Sequence, residues 1–541
     1  MSDTVSITDP VPRDAPGTRE IGFELPERYN ASAILFDNLA AGRGGRMAVT
    51  GPAGSRSYAE LAADASRFGA GLLSLGARRG DRVVLFLDDT PAYPAALFGA
   101  IRAGLVPVLI NTLTPSDLLQ FYLSDSAATI AVCDAAFAER FNATACEGTR
   151  LDTLIVVNGE AGVEAPVKTR SAAEWLAGSP AALEPADTHR DDMAFWMYSS
   201  GSTGRPKGIV HLQHDMAYTH LSYARHLLEL TQDDICFSVP KIFFAYGLGN
   251  SITFPFSAGA SSVLLPGQPK PAAIFDAITR YRPTVFFGLP TLYTALTKAH
   301  DAKAADLSSL RLAVSAAEVL SGEVFNAWKT ISGLEIMEGL GSTEALHIYL
   351  SNTPAQKKLG AAGKRVPGYE VKLTDIAGRE TAEGEEGILW VRGDSNAPCY
   401  WNRPDKTAET MRDGGWLYTG DRFVRDGDGF HFFRGRADDL VKISGQWVYP
   451  LEVELCLADH PSVSECAVLA VEQQDGLTTL KAFVVLADTT PASEAVTRAL
   501  QDYVKGRLMP YKYPRIVAYI AELPKTGTGK IDRQALLKRG G

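Results

Sequence analysis

The sequence predicts an α/β fold in which a large N-terminal domain of helix-covered, mainly parallel sheets carries a small antiparallel β subdomain and is followed by a small α+β domain. Between residues 58 and 315, short apolar runs typical of buried strands alternate with helical patterns, which favours parallel sheets. After about residue 366, short strand patterns separated by Gly/Asp turns predict an antiparallel unit. Strand and helix patterns return after residue 439, so we expect two domains, residues 1–437 and 438–541.

Individual elements follow from local patterns. Residues 1–28, rich in Pro, Asp, Thr and Arg, predict a loosely held arm. From Tyr58 to Leu75 apolar residues recur at helical spacing and Gly76 follows, which predicts an amphipathic helix with a glycine stop. Residues 82–88 predict a buried strand. Further strands are predicted near residues 129–133, 153–157, 194–198, 284–287, 311–315, 466–471, 480–486 and 515–520.

The composition excludes several classes of protein. The 541 residues include 53 Lys and Arg against 63 Asp and Glu, a net charge of −10 without any basic run, so no nucleic-acid partner is expected. Six scattered cysteines without a C-x-x-C pair indicate reduced core residues and a cytoplasmic protein. No apolar signal segment opens the chain. The uncharged stretch 242–269 contains three prolines and four glycines, which predicts buried strands and loops rather than a membrane span.

The strongest chemical signal is a run of Gly, Ser and Thr from Tyr198 to Gly208, which follows an apolar strand and ends in Arg-Pro-Lys-Gly. Glycines let backbone N–H groups close around an anion, hydroxyls add donors, and a lysine supplies charge, so the run predicts a phosphate-binding loop. It lacks the Walker A pattern. A solvated turn is the alternative, against which the trailing Arg-Pro-Lys-Gly argues. The candidate phosphate ligands are Ser199, Ser200, Gly201, Ser202, Thr203, Gly204 and Lys207.

A second signal is the segment Gly339-Leu-Gly-Ser-Thr-Glu344, in which small residues lead to a hydroxyl and a carboxylate. A carboxylate beside phosphate suits Mg²⁺, which proteins usually hold with one or two carboxylates plus substrate phosphates. The alternative is a helix start, with Ser342 or Thr343 as the N-cap and Glu344 favouring the helix dipole. The sequence leaves both interpretations open.

Two further segments carry single candidate residues. In Gly414-Gly-Trp-Leu-Tyr-Thr-Gly-Asp421 the aspartate follows a glycine turn and could bridge two ribose hydroxyls, with Arg436 fifteen residues later. A hairpin with a surface aspartate is the simpler alternative. Near the C-terminus, Lys530 lies on a Gly-flanked loop from which it could reach a site in another domain, although a solvated tail lysine is the commoner case.

Taken together and in this order, the four segments resemble the acyl-adenylate-forming superfamily of acyl-CoA synthetases, adenylation domains and luciferases, over about residues 30–535. Residues 241–250 and 341–352 further resemble its benzoate–CoA ligase branch. The resemblance implies that a carboxylate and ATP give acyl-AMP and pyrophosphate, and that coenzyme A then gives the thioester and AMP. It implies ATP, coenzyme A and Mg²⁺ as co-substrates and cofactor, and a hinged C-terminal domain.

For the nucleotide, the resemblance assigns roles to residues already singled out. Thr203 and its neighbours would hold the β- and γ-phosphates, Thr343 the α-phosphate and Glu344 the Mg²⁺. Asp421 and Arg436 would bind the ribose. Leu340 departs from the family, which most often has an aromatic residue stacked on the adenine. The residues expected around the nucleotide base and AMP are Ala316, Ala317, Glu318, Gly339, Leu340, Gly341 and Ser342.

For the two half-reactions, the resemblance implies a small domain that moves. Lys530 would aid adenylation, Asp438 would be the hinge, and Gly445 and Trp447 would lie along the pantetheine tunnel during thioester formation. The segment around Lys530 resembles sites that lysine acetyltransferases modify in this family, so such an enzyme is a candidate partner. The oligomeric state is left open between monomer and homodimer.

The acyl pocket is expected along residues without charge. Small residues such as Ala245 would leave a slot, and Phe244 and Phe287 can flank a flat ring. A histidine there is more often a core residue with satisfied hydrogen bonds than a ligand, yet Tyr246 and His347 could meet a ring hydroxyl. The expected lining is Phe244, Ala245, Tyr246, Phe287, Ala316, Gly339, Leu346 and His347.

These observations predict an ATP-dependent aryl-carboxylate–CoA ligase of the benzoate type, acting on a small aromatic carboxylate. Hydroxybenzoate and alicyclic acids are the alternative substrates. An adenylation enzyme that loads a separate carrier protein is a second alternative, and a nucleotide sensor without catalysis is a third. The absence of a Ser-His-Asp pattern agrees with this chemistry, because a carboxylate is already ionised at neutral pH and needs no general base.

Overall fold

The computed structural model describes residues 16–160, 165–199, 206–299, 305–318, 320–437, 441–443, 446–472, 478–487, 490–525 and 531–539. It confirms the predicted α/β class. The chain divides into two compact units. The first comprises Met1–Lys358, Gly363–Val371 and Val391–Tyr418, and the second Leu359–Ala362, Lys372–Trp390 and Thr419–Gly541. The boundary predicted at residue 438 falls outside the described residues and stays a prediction.

The strands that precede the antiparallel region are, in chain order, β1 Met47–Thr50, β2 Arg56–Ser57, β3 Arg82–Phe86, β4 Val106–Leu109, β5 Ile130–Asp134, β6 Thr153–Val157, β7 Lys168–Ser171, β8 Met193–Ser199, β9 Lys207–Leu212, β10 Ile235–Ser238, β11 Ser261–Val263, β12 Val285–Gly288, β13 Leu312–Ala316, β14 Ile336–Gly341, β15 Ile348–Ser351 and β16 Lys364–Arg365. The later strands are β17 Glu370–Thr374, β18 Glu386–Arg392, β19 Met411–Arg412, β20 Trp416–Arg425, β21 His431–Arg436, β22 Val441–Ile443, β23 Gln446–Val448, β24 Val463–Glu472, β25 Thr478–Leu486 and β26 Ile516–Tyr519. The strands predicted from apolar runs are all present.

The α-helices are α1 Pro16–Glu20, α2 Ala33–Ala40, α3 Tyr58–Ser74, α4 Ala92–Arg102, α5 Ser116–Ser126, α6 Ala143–Cys146, α7 Ala172–Ala177, α8 Asp215–Thr219, α9 Ala245–Leu248, α10 Phe254–Ala258, α11 Pro271–Tyr281, α12 Pro290–Lys298, α13 Gly322–Ser332, α14 Pro404–Thr410, α15 Pro450–Ala458, α16 Glu494–Lys505 and α17 Arg533–Arg539. A π-helical turn, His220–Arg225, follows α8, and a second one, Gly249–Thr253, joins α9 to α10. Such wide turns occur mostly near functional sites.

Two mainly parallel sheets form the first unit. In the described part of the chain, one sheet has seven strands in the order β7-β6-β5-β3-β4-β8-β9, and only the pair of β8 and β9 is antiparallel. The other has nine strands in the order β16-β15-β14-β13-β12-β10-β11-β1-β2, with antiparallel pairs at its two ends. Its central strands run parallel, so their carboxyl ends share one edge.

Helices cover both sheets, as predicted. The long helix α3 begins with a capping box, in which Ser57 Oγ accepts the N–H of Glu60 and the Glu60 carboxylate accepts the N–H of Ser57. Its buried side chains, such as Phe68, share one core with Leu85 of the seven-stranded sheet and Val49 of the nine-stranded sheet. This common core fixes the two sheets of the first unit against each other.

The second unit contains the small α+β domain. There β24 pairs antiparallel with β25, and β25 pairs parallel with β26. Helices α15 and α16 bury Leu457 and Leu500 in a core with Val468 and Val484 of the sheet. Strands β17 to β21 form the predicted antiparallel region, and the division between the two units falls within β17, β18 and β20.

The prediction of a loosely held N-terminal arm is wrong for residues 16–28. Helix α1 ends at Glu20, whose carboxylate lies 2.6 Å from an Nη atom of Arg365. The ring of Phe23 is buried and packs edge-on against Tyr218, with 5.0 Å between the ring centroids. These partners lie far along the chain, and local composition therefore could not reveal them.

The uncharged stretch 242–269 forms α9, the π-helical turn Gly249–Thr253, α10 and β11. The prediction of strands and loops is therefore wrong for residues 245–258, which are helical, and right for β11. Across the described ranges, no helix is both long and apolar enough to cross a membrane. All six cysteines are free, and Cys133, Cys236, Cys399 and Cys456 are buried, which agrees with their prediction as core residues.

Candidate active site

The residues predicted to surround the nucleotide lie at the carboxyl ends of three neighbouring parallel strands, β12, β13 and β14. Gly288 of β12 pairs with Ser315 of β13, and Ala316 of β13 pairs with Gly339 of β14. The carboxyl edge of a parallel sheet is where α/β proteins bind ligands. The structure therefore brings the ends of these strands, with Phe287 beside them, to one candidate binding edge.

Two residues at this edge have backbone conformations that L-amino acids rarely adopt. Ala317, directly after β13, has a φ of 75°, and Leu346, shortly before β15, has a φ of 66°. Such conformations persist only where the surroundings hold them, and they concentrate at functional sites. Glu318, just after β13, accepts through its carboxylate the backbone N–H of Thr291, which lies after β12 near the start of α12, at 3.3 Å.

Gly339 and Gly341 have a packing reason for being glycine. A Cβ atom at residue 339 would lie 2.8 Å from Cδ1 of Ile348, and one at residue 341 would lie 2.4 Å from the carbonyl oxygen of His347. Strands β14 and β15 approach too closely for a side chain at either position. Leu340, between the two glycines, pairs with Leu350.

The segment after β14 is a turn and not a helix. Ser342 Oγ accepts the N–H of Ala345 at 3.1 Å, and the Thr343 carbonyl accepts the N–H of Leu346 at 3.0 Å, after which the chain enters β15. The alternative in which Ser342 or Thr343 caps a helix is therefore wrong. We call residues 342–347 the adenylate turn.

The carboxylate of Glu344 is held by a residue that sequence reasoning missed. The hydroxyl of Tyr400 donates to Glu344 Oε1 at 2.7 Å, and the N–H of Ala397 donates to the Glu344 carbonyl at 2.7 Å. The ammonium of Lys207 lies 4.1 Å from the centre of the Tyr400 ring. Tyr400 thus links Glu344, the predicted metal ligand, to Lys207, the lysine of the predicted phosphate loop. No local sequence pattern around Tyr400 indicates this role.

Two residues of the predicted phosphate loop are described, Ser199 and Lys207, and they pair with each other in the hairpin of β8 and β9. The hairpin is fastened beside Tyr400, because the N–H of Trp401 donates to the Gly208 carbonyl at 2.7 Å and Ile209 forms a bridge with Tyr400. Lys207 and the adenylate turn therefore have fixed positions relative to each other.

A second missed residue, His211, lies on the same hairpin. Its Nε2 is 2.9 Å from the carbonyl oxygen of Thr343, and its Nδ1 is 2.8 Å from Oδ2 of Asp215. The side chains of His211 and Asp215 have no exposed surface. The position of His211, four residues after Lys207, was the available signal, since residues four apart in a strand share a face.

The aromatic residues predicted for the acyl pocket come together. The ring centroid of Tyr246 lies 6.2 Å from that of Phe287 and 5.6 Å from that of His347. Phe244 packs edge-on against Phe243, and both Ala245 and Leu346 belong to the buried core. The imidazole of His347 lies against the π-helical turn, because a Cβ at Gly249 would meet its Cδ2 at 2.3 Å.

The polar atoms of this aromatic cluster are buried and neutral. Burial lowers the pKa of His347 to about 3, against a smaller opposing effect of the Tyr246 backbone, and burial raises the pKa of the Tyr246 hydroxyl well above its usual range. Among the described residues, no partner in strict hydrogen-bond geometry meets the His347 nitrogens, the Tyr246 hydroxyl or the Asn250 amide. Weaker interactions do exist, between His347 and the Tyr246 backbone and between the Tyr246 hydroxyl and the Asn250 side chain. Buried polar atoms with so few partners are rare, which marks this cluster as a candidate binding site, and the role of His347 stays a prediction.

The predicted ribose ligands also come together, in the second unit. Asp421 of β20 pairs with Arg436 of β21, and Asp421 Oδ1 lies 3.1 Å from Nη1 of Arg436. Arg436 also donates to the Thr419 carbonyl at 3.2 Å. Antiparallel pairing thus brings together two residues that are fifteen positions apart in the sequence.

Several predicted site residues lie outside the described residues, and their roles stay predictions. For Trp447 this holds for the side chain, although its backbone belongs to β23. The others are Ser200, Gly201, Ser202, Thr203, Gly204, Asp438, Gly445 and Lys530.

A hydroxyl and a carboxylate follow the edge of the nine-stranded sheet, a lysine of the seven-stranded sheet lies beside them, and the aromatic cluster near them is neutral. This arrangement is suited to an enzyme that activates an acid with a nucleotide. The chain belongs to the AMP-binding enzyme family, whose model matches residues 36–401, and the AMP-binding enzyme C-terminal domain matches residues 452–530. The predicted superfamily is confirmed, and with it the predicted class of enzyme, an AMP-forming acid–thiol ligase.

Relatives and solved structures agree with this assignment. The chain is 42% identical to a benzoate–CoA ligase of Thauera aromatica, over 94% of this chain and 96% of that protein. It is 40% identical to a 4-hydroxybenzoate–CoA/benzoate–CoA ligase of Rhodopseudomonas palustris, over 94% of each. Its fold matches a benzoate CoA ligase from Burkholderia xenovorans with a TM-score of 0.86 and 38% identity, over 94% of this chain and 100% of that one. An anthranilate CoA ligase bound to anthranoyl-AMP matches with a TM-score of 0.89 and 37% identity, over 95% and 98%.

Proposed function

We propose that this ligase activates benzoate. The carboxylate oxygen attacks the α-phosphorus of ATP and pyrophosphate leaves, giving benzoyl-AMP. The thiol sulfur of coenzyme A then attacks the carbonyl carbon, AMP leaves, and the thiol proton is released. The wider prediction of an aryl-carboxylate–CoA ligase that uses ATP and coenzyme A is confirmed by the family and the relatives.

The observation that carries the choice of benzoate is the neutral aromatic cluster of Tyr246, Phe287 and His347. Burial keeps the histidine uncharged and the tyrosine protonated. The Tyr246 ring lies 6.2 Å from Phe287 at 88° and 5.6 Å from His347 at 41°, and such an aromatic surrounding favours a flat apolar ring as its neighbour. A substrate with a second ionised group would meet no counter-charge among these side chains, which supports a simple aromatic monoacid.

On the nucleotide side, the residues of this chain serve positioning and charge. Lys207 lies over the ring of Tyr400, and Glu344 accepts the Tyr400 hydroxyl. This arrangement supports the proposal that Lys207 binds the phosphates and Glu344 their metal. Within the described ranges, no three His, Cys, Asp or Glu side chains could hold a metal by themselves. A single carboxylate fits Mg²⁺ that is held mainly by substrate phosphates, where it would offset their negative charge. Two anions must meet in this reaction, and aimed charges are the expected source of catalysis.

The remaining role assignments are part of the proposal. Asp421 and Arg436 are proposed to bind the ribose and Lys530 to serve adenylation. Asp438 is the proposed hinge and Gly445 belongs to the proposed pantetheine path. Acetylation of Lys530 by a lysine acetyltransferase would remove its charge and silence adenylation, which mass spectrometry of acetylated and untreated enzyme alongside activity would test.

A hydroxybenzoate is the second candidate substrate, and one observation favours it. The Tyr246 hydroxyl, the Asn250 amide and both His347 nitrogens are buried polar groups that meet no partner in strict hydrogen-bond geometry among the described residues. They interact only weakly within the cluster, the hydroxyl with Asn250 and the imidazole with the Tyr246 backbone. A ring hydroxyl could satisfy one of them, and a site built to bond a hydroxyl strongly rejects the analogue without one. A benzoate-specific site would instead satisfy these atoms with ordered water.

The test is a measurement of each half-reaction. Benzoate, ATP and Mg²⁺ should release pyrophosphate, and coenzyme A should then give the thioester and AMP. Pyrophosphate release without thioester formation would favour the carrier-loading alternative, and nucleotide binding without pyrophosphate release the sensor. Rates measured with a panel of benzoate, the three hydroxybenzoates and an alicyclic acid identify the preferred ring of the substrate. A preference of a hydroxybenzoate over benzoate by about 100-fold or more would replace benzoate as the substrate.

A further inference from the structure

A network of charged side chains lies buried behind the adenylate turn. Arg190 Nη2 lies 2.9 Å from Asp394 Oδ2, and His214 Nδ1 lies 3.3 Å from Asp191 Oδ1. His214 Nε2 and Asp215 Oδ1 are 3.3 Å apart. The network has three basic and three acidic side chains, and its six members are Arg190, Asp191, His211, His214, Asp215 and Asp394.

Within this network, His211 is the member that reaches the adenylate turn. Its Nδ1 faces the Asp215 carboxylate and its Nε2 faces the Thr343 carbonyl, and both partners are acceptors. The imidazole and the carboxylate must therefore share two protons. The imidazole is stacked on Phe195, with 5.1 Å between the centroids and 24° between the planes. Stacking on one ring face and hydrogen bonds at both nitrogens together fix the orientation of the imidazole.

The same strand carries the phosphate-loop lysine. Lys207 and His211 are four residues apart in β9 and share one face of it. Tyr400 also connects to this strand, through its bridge with Ile209, and to the turn, through Glu344. The strand thus sets the position of Lys207 and, through two separate hydrogen bonds, the position of the adenylate turn.

We propose that His211 is a positioning residue for adenylation, which holds the Thr343 carbonyl so that the Thr343 hydroxyl and the Glu344 carboxylate meet the phosphates of ATP in register with Lys207. This inference rests on the proposed function. The adenylate turn has no helical or sheet hydrogen bonds of its own over residues 343–347, and Leu346 is in a strained conformation. Tyr400 and Ala397 hold Glu344 and Ser395 holds Ala345, whereas His211 holds the Thr343 carbonyl. Loss of the His211 bond should displace the Thr343 hydroxyl, and displacements of about 1 Å cost on the order of 100-fold in rate.

The chain offers a matched control in His214. Its side chain is as deeply buried as that of His211 and belongs to the same network, but its nitrogens face the carbonyls of Arg190 and Asp394, at 2.8 and 2.7 Å, instead of Thr343. His211→Phe and His214→Phe both replace a buried imidazole with an apolar ring and thus remove its two nitrogens. His211→Gln and His214→Gln keep a side-chain amide and serve where the Phe variants do not fold.

The experiment compares the two half-reactions in the full-length enzyme, with the best acid of the substrate panel. We expect His211→Phe to slow acyl-AMP formation about 10- to 100-fold and His211→Gln less, because its amide N–H can still reach the Thr343 carbonyl. Thioester formation from supplied acyl-AMP should stay within about twofold of the wild-type rate in both variants. The His214 variants should show no such split between half-reactions, whatever their melting temperatures.

Two results would overturn the inference. One is acyl-AMP formation at the wild-type rate in the His211 variants, and the other is an equal slowing of both half-reactions in the His211 and His214 variants, which indicates a general loss of structure. Failure of the proposed function is distinguishable, because the wild-type enzyme would then form no acyl-AMP from any acid of the panel.

Discussion

Two buried clusters of charged side chains hold the candidate site, and they differ in their charge balance. The nucleotide-side cluster, the network of His211 and His214, has as many basic as acidic members and holds the adenylate turn. The acyl-side cluster comprises Lys241 and the three carboxylates of Asp88, Asp89 and Asp134, and leads into the segment that carries Phe244 and Tyr246. Among the described members of that second cluster, one cation faces three carboxylates.

Contacts within the acyl-side cluster are close. Lys241 Nζ lies 2.7 Å from Asp88 Oδ1 and 4.0 Å from Asp89 Oδ2, and it donates to the Leu265 carbonyl at 2.7 Å. Asp134 Oδ2 accepts the N–H of Asp88 at 2.7 Å. Asp89 Oδ1 accepts the N–H of Ile242 at 3.2 Å, which fixes the start of the acyl-pocket segment.

The difference in balance changes how each cluster responds to pH. Burial acts to lower the pKa of His214, but the carboxylates of Asp191, Asp394 and Asp215 outweigh it and raise that pKa well above its usual range, so the histidine stays charged at neutral pH. Burial raises the pKa of Asp89 to about 7, with Lys241 opposing and the nearby carboxylates adding to the rise. A balanced cluster keeps its protons, and an unbalanced one takes up a proton near neutrality.

The largest effect is expected where the single cation of the acyl side is removed. Lys241→Met leaves the buried carboxylates without their counter-charge, and breaking a buried pair costs about 3–5 kcal/mol in the free energy of unfolding. Urea denaturation of the purified variant measures this. Lys168→Met is the control, because the pair of Lys168 and Asp152 is exposed and such pairs contribute about 0–1 kcal/mol. Equal effects of the two substitutions would mean that the acyl-side cluster holds no net charge to balance.

The two clusters also mark what the sequence could and could not predict. The helix at Tyr58–Ser74 and the strands were predictable because periodicity is a local property of the chain. His211 and Tyr400 were missed because their bonds join residues 132 and 56 positions apart. Asp421 and Arg436 were singled out from a glycine turn and its spacing, the family resemblance gave them their expected role, and the structure pairs them across two strands.

On the nucleotide side, Glu344→Gln tests whether the charge held by Tyr400 is required. The substitution keeps the shape and removes the carboxylate charge, so we expect acyl-AMP formation to fall about 100-fold, with partial recovery at high Mg²⁺ concentration. Pyrophosphate release measures the rate. Glu335→Gln is the control, because Glu335 lies just before β14 and pairs with Lys329 at the surface. Full activity of Glu344→Gln at ordinary Mg²⁺ concentration would remove this residue from the metal site.

The pH dependence of stability separates the two clusters directly. The pKa of Asp89 is raised in the folded state to about 7 from an ordinary value of 3.8, so the folded state binds more protons than the unfolded state between these pH values. Stability from this group is present below pH 3.8 and is lost as pH rises through 7. Between pH 5 and pH 7 the loss should be about 2 kcal/mol.

Asp89→Asn should remove this loss, since the amide oxygen can still accept the N–H of Ile242. Unfolding free energies at pH 5, 6 and 7 test the prediction, and the gap between wild type and variant should grow towards pH 7. The control is Asp306→Asn. Hydrogen bonds from Ser308 and Arg282 lower the pKa of the Asp306 carboxyl to about 2, so this group does not titrate between pH 5 and 7. The change of the unfolding free energy with pH should therefore equal that of the wild type in this variant. A wild-type slope in Asp89→Asn would assign the proton uptake to another group.

The smallest effect on rate is expected for a substitution of Tyr400, which bonds Glu344 of the adenylate turn but is not a member of the nucleotide-side cluster. Tyr400→Phe keeps the ring beside Lys207 and removes only the hydroxyl that donates to Glu344 Oε1 at 2.7 Å. A hydrogen bond to a charged group contributes about 1.5–3 kcal/mol when buried, and less where water replaces it, so we expect acyl-AMP formation to slow about 5- to 10-fold.

The Glu344 charge remains, and the apparent affinity for Mg²⁺ should therefore fall while the rate at saturating Mg²⁺ approaches that of the wild type. Glu344→Gln should lose rate even there, and this contrast distinguishes orientation of the carboxylate from its charge. Unchanged Mg²⁺ affinity in Tyr400→Phe would show that the bonds of His211, Ser395 and Ala397 hold the adenylate turn without the Tyr400 hydroxyl.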